Sequence, residues 1–135
     1  MVFVKADDKT EGGKLPAAEM IRDMQIFNQQ LADAGVIVAA DGLLPSSRGA
    51  RVHFGSTGEY EVEEGPFEHP QELVAGYWIW RVDSVDHAIG WLKKAPFQHA
   101  VVEIRPIYEP VDFAESMTPE NVARDQALRT RLSSS

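Results

Sequence analysis

The chain has 135 residues, of which 44% are hydrophobic and 25% charged, the profile of one globular domain built on a single core. A formal net charge of −8 makes phosphate backbones and anionic lipid surfaces poor partners, so neither a nucleic acid nor a membrane is expected. The absence of cysteine excludes disulfides, a thiolate nucleophile and Cys-based metal sites. No apolar run approaches the roughly 20 residues that span a bilayer. The opening "MVFVKADDKTEGG" turns acidic too early for a signal peptide, and the protein is expected to be cytoplasmic.

"MVFVKA" predicts a short first strand, and the polar "DDKTEGGK" after it a loop. An amphipathic helix is expected from about Ala17 to Ala34. Met20, Met24, Phe27 and Leu31 recur on one face, and Gly35 stands where helices end. "VIVAADGL" is an unbroken apolar run that predicts a buried strand. "ARVHF" and "EYEVE" flank "GSTG" and predict a hairpin, with Val52 and Phe54 on one face and Arg51 and His53 on the other.

"EEGPFEHPQEL" is a Gly-Pro turn between acidic patches, leading into an aromatic strand at about Leu73 to Val82. In that strand Gly76, Trp78, Trp80 and Val82 share one face, and Tyr77, Ile79 and Arg81 the other. Ser84 caps a second helix whose inner stripe is expected to be Val85, Ile89 and Leu92. Val102 and Ile104 alternate with Glu103 and Arg105 in a last strand. The tail from Thr118 to Leu132 has helix-start chemistry in "TPE", and the closing "SSS" is expected to be disordered.

Setting the hairpin aside, the order is strand, helix, strand, strand, helix, strand. That predicts an α+β fold of the ferredoxin-like, split-βαβ kind, with an antiparallel sheet carrying both helices on one face. Its other face carries large apolar groups and asks for cover, which points to a homodimer.

The stretch "EEGPFEHPQELVAGYWIWRVDSVDHAIGWLKKAP", continuing to "VEIRPIYE", resembles the DGPF branch of the YCII-related domains, as does "AGVIVAADGLLPSSRGARVHF" upstream. The similarity covers about residues 1–113, leaving 114–135 as a C-terminal helical extension and tail. The resemblance implies a ferredoxin-like fold pairing into a dimeric α/β barrel. It also implies, for the wider family, a His–Asp active pair and lyase-like or dehydrochlorinating activity in a few members. The positions for that His and Asp are here Met24 and Ala95, so neither half of the pair is present, and Glu64 stands where the branch usually has Asp.

Two functional readings follow. One is a homodimer that binds a small molecule or protein partner in a cleft at the sheet, with Glu64, Gly65, Pro66, Phe67 and Trp78 as ligand-binding candidates. The other is a lyase- or isomerase-like enzyme using Glu64 with His53 or Arg105 as acid and base groups. For Glu64 the bland alternative is an acceptor for the N–H groups of its own turn. For Arg105 and Glu103 it is an ion pair, and for the Trp residues a place in the core. His53, His69, His87 and His99 have no partner at metal-ligand spacing, and no dinucleotide or phosphate-loop motif occurs. Neither a metal nor a cofactor is therefore expected.

Overall fold

The structure, a computed structural model, describes residues 1–134. The chain divides into two compact units, Met1–Arg105 and the segment from Pro106 onward.

The first unit contains β1 (Val2–Lys5), α1 (Asp8–Glu11), α2 (Ala18–Asp33), β2 (Ile37–Gly42), β3 (Ala50–Phe54), β4 (Tyr60–Glu64), β5 (Val74–Trp80), α3 (Val85–Leu92) and β6 (Val102–Ile104). Four strands form one sheet in the order β2-β5-β1-β6, and each neighbouring pair is antiparallel. The strands that follow each long helix therefore lie at the two edges. β3 and β4 form a separate two-stranded sheet.

The core lies between the sheet and the long helices. Phe27 and Leu31 of α2 and Ala88 of α3 are buried with Val2, Val36, Trp78 and Trp80. Strand alternation sends Trp78 and Trp80 to this side, where their ring centroids lie 5.5 Å apart. Phe27 meets both edge-on, at 6.0 and 6.2 Å, a geometry that sets the positive edge of one ring against the negative face of another. The Trp78 indole N–H donates to Asn28 Oδ1 at 2.8 Å. The Trp80 indole N–H is buried and has no partner among the described residues, a cost of about 1–3 kcal/mol that packing of the ring has to offset.

Helix ends follow local chemistry. α2 stops at Ala34, and Gly35 takes φ 71°, the left-handed conformation that only glycine adopts without strain. The Ser84 hydroxyl accepts the His87 N–H at the start of α3, as its sequence position predicts.

Four expectations are corrected. Asp8–Glu11 is a helical turn, not loop: Asp7 and Thr10 exchange hydrogen bonds in a capping box that organises the segment. β2 is not a buried strand. It is a sheet edge with a bulge between Ile37 and Ala39, and Val38 is exposed. In α3 the inward positions are Ala88, Trp91 and Leu92, while Val85 and Ile89 are exposed, because the small Ala88 side chain occupies the closest approach to the core. The C-terminal helix runs through Ser133 and is capped by Ser134, so the expected disorder is absent there; Ser135 lies outside the described residues.

In the second unit α4 (Pro119–Ser133) starts at Thr118, whose hydroxyl accepts the Asn121 N–H. Its surface carries the i,i+4 pairs Glu120–Arg124 and Asp125–Arg129. Tyr108 and Phe113 stack with centroids 4.6 Å apart.

Leu31 is fully buried beneath the indoles. Replacing it with Ala is expected to lower unfolding stability by about 2–5 kcal/mol through lost apolar contact and a residual cavity. Urea unfolding would show this as a lower midpoint at unchanged slope.

Candidate functional site

The turn from Glu64 to Phe67 is held by three groups far apart in sequence. The Gly65 N–H donates to the Gly49 carbonyl at 3.1 Å. The Phe67 N–H donates to Ser46 Oγ at 2.9 Å. The Ser46 hydroxyl in turn donates to one Glu11 carboxylate oxygen, and the Ser46 N–H to the other at 3.0 Å. Glu11 thus satisfies two donors at the 3₁₀ turn Ser46–Arg48, and Ser46 passes the constraint to the Gly-Pro-Phe segment. A Cβ on Gly65 would lie 1.7 Å from the Ser46 carbonyl oxygen, so this close approach of two backbones requires glycine. The Arg51 guanidinium lies over the Phe67 ring, 3.9 Å from its centroid, a cation–π contact that pins the aromatic side chain.

The hairpin register separates the other candidates. Arg51 opposes Glu63 and His53 opposes Glu61 on one face; Val52 opposes Val62, Phe54 opposes Tyr60 and Ala50 opposes Glu64 on the other. His53 Nε2 lies 2.8 Å from Glu63 Oε1, and Arg51 is 3.9 Å from the same carboxylate. Glu64 lies on the opposite face from His53, and its carboxylate has no hydrogen bond or ion pair among the described residues. Nor does it serve its own turn, whose donors go to Gly49 and Ser46. Arg105 leaves the end of β6 and pairs with Glu103 at 3.4 Å, with 70% of its side chain exposed. Trp78 is sealed in the core at 4% exposure, bonded to Asn28.

No metal-competent group of His, Asp or Glu is found among the described residues. Met24 and Ala95, the positions at which the resemblance implies a His–Asp pair, are apolar and pack against the core cluster.

The sheet face that carries neither α2 nor α3 presents Phe3, Tyr77 and Ile79, all half-buried, with Asp41, Glu103 and Arg105 at its margins. The Tyr77 hydroxyl donates to Asp41 Oδ2 at 2.9 Å. That hydrogen bond, reinforced by the Asp41 charge, raises the phenol above its ordinary pKa, because both oppose formation of a phenolate.

Ser46 and Glu11 were not singled out by sequence reasoning. Their link spans 35 positions, and no local pattern announces a pairing at that distance. The capping box at Asp7, which orders the turn bearing Glu11, was the readable signal.

These features sit in a chain whose residues 1–111 match the family model of the YCII-related domain. The chain belongs to the YCII-related domain family. No curated protein matches it.

Two measurements test this site. Ser46→Ala leaves the Phe67 N–H and the Glu11 carboxylate without their shared partner, and is expected to lower stability by about 1–3 kcal/mol in chemical denaturation. Asp41→Asn is expected to lower the Tyr77 pKa toward its ordinary value in a spectrophotometric titration, with Tyr77→Phe identifying the band. The sign follows from the raised pKa: the Tyr77–Asp41 bond contributes while the phenol is protonated and is lost as pH rises through the raised value.

Proposed function

We propose that this protein is a DGPF-branch member of the YCII-related family, with a ferredoxin-like sheet. On this reading it acts as a cytoplasmic homodimer, completing a dimeric α/β barrel and binding a small molecule in a cleft at the sheet. The observation that carries this reading is the unequal cover of the four-stranded sheet. One face buries Trp78 and Trp80 beneath α2 and α3; the other offers Phe3, Tyr77 and Ile79 beside Arg105, Glu103 and Asp41. An apolar surface rimmed by charge is the composition of an interface or a ligand-binding wall. The strand order β2-β5-β1-β6 supports the ferredoxin-like label, since it places the strands after both crossovers at the edges.

The enzymatic alternative draws less support. Glu64 and His53 occupy opposite faces of the hairpin, and Arg105 is paired with Glu103. A general acid and base must both reach one substrate, and this arrangement joins none of the three within one copy.

Light scattering at micromolar concentration is expected to give twice the monomer mass, and a monomer would overturn the reading. Ile79→Asp, which places a charge on the proposed interface, is expected to give the monomer while keeping the helical circular-dichroism signal. For the ligand, a thermal-shift screen of small acids and phenolic compounds is expected to show a concentration-dependent rise in Tm. No stabilisation by any of them would count against a small-molecule ligand of that kind.

A further inference from the structure

We infer that the β3–β4 hairpin is an arm that closes on a second copy of this chain, seating its apolar face on the sheet face that carries neither α2 nor α3, with Glu64 against Arg105 of that copy. This rests on the homodimer reading and adds to it which element crosses between copies and which charges meet.

All ten residues of the two strands are exposed. An isolated two-stranded hairpin is marginal in water and needs a surface to pack on. Here the apolar face is the conspicuous one: Val52, Phe54, Tyr60 and Val62 are 47, 78, 69 and 54% exposed. In register they form two directly opposed pairs, Val52 with Val62 and Phe54 with Tyr60. The reverse face is charged, and there His53 and Arg51 both reach the Glu63 carboxylate. The apolar face therefore asks for a partner, and the polar face suits solvent.

The base of the arm is fixed. Gly65 is bonded to Gly49 and packed against the Ser46 carbonyl, and Phe67 is held by Ser46 and Arg51, so both strands leave a defined platform. A fixed, projecting apolar element loses little conformational freedom on docking, which favours association.

Charge selects the occupant. Glu64 lies on the apolar face, at the base of the arm, without a cationic partner among the described residues. The sheet face of the same chain that carries neither α2 nor α3 holds Phe3, Tyr77 and Ile79, each half-buried, with an exposed Arg105 beside them. A second copy thus offers an apolar floor for Val52, Val62, Phe54 and Tyr60 and a guanidinium for Glu64. Arg105 then has Glu103 within its own chain and Glu64 across the interface, two carboxylates for its forked set of donors.

The absence of cysteine makes a direct test possible. Full-length Glu64→Cys and Arg105→Cys proteins, mixed, allowed to exchange subunits and treated with a bis-maleimide cross-linker that spans the length of a Glu–Arg pair, which a direct disulfide is too short to bridge, are expected to give a thioether-linked dimer on denaturing gels, well above either variant alone. A dimer by light scattering with no such linked species overturns the arm and leaves the homodimer standing; a monomer overturns both. As a second measurement, Phe54→Ser is expected to weaken dimerisation about tenfold or more, a change of about 1.4 kcal/mol. Glu61→Ser, on the polar face, is expected to leave it unchanged. Equal effects from the two substitutions would overturn the assignment of faces.

Discussion

The burial of Trp78 and Trp80 against Phe27 and Leu31 is the interaction on which the first unit depends, because it decides which face of the sheet is inside. β5 is a central strand, bonded to β1 on one side and β2 on the other. Once its even-numbered residues face the helices, the pleat sends Ala75, Tyr77 and Ile79 to the other side. The registers carry the choice to Val2, Val4, Val102 and Ile104 on the inner face and to Phe3 and Glu103 on the outer. Shifting β5 by one residue would expose two indoles and turn the Tyr77 phenol inward, away from Asp41 on β2, so the register is strongly determined.

The hairpin is governed by a different constraint, the close contact between Gly65 and Ser46. The helix-sheet core does not reach it. Its position follows from backbone contacts between residues 46–49 and 65–67, with Glu11 holding the donors of Ser46. The Gly-Pro-Phe signature thus acts as a joint between the main sheet and the arm. Phe67 is a packing group beneath Arg51, and Gly65 is present because no side chain fits. Gly65 and Phe67 are thus held by packing and hydrogen bonds within the chain.

The same geometry separates two of the acid–base candidates that sequence suggests. Strand alternation sends Glu64 and His53 to opposite faces of the hairpin, and Met24 and Ala95, where the resemblance implies an ionisable pair, are apolar and pack against the core. The hairpin presents an exposed apolar face with Glu64 at its base, and Arg105 at the end of β6 is exposed and paired with Glu103.

Much of the fold was legible in the sequence, because it rests on local periodicity. The spacing of Met20, Met24, Phe27 and Leu31, the cap at Ser84, the alternation around Trp78 and the Gly-Ser-Thr-Gly turn each encode a neighbour within a few residues. Where reading by period failed, a non-local term prevailed. The apolar run of β2 suits a buried strand, yet sheet order places it at an edge; α3 turns on the small Ala88, not on its largest aliphatic residues. The candidate site was legible only as a list. Sequence named Glu64, His53, Arg105 and Phe67, but pairing register decided that Glu64 and His53 part company. Contacts across dozens of residues decided that Ser46 and Glu11 hold the turn. Patterns of side-chain polarity determine which elements form and which faces are apolar, since those depend on adjacent residues. Which faces meet, and on which face each charged side chain stands, depends on strand order and register, and these exist only once the chain has closed on itself.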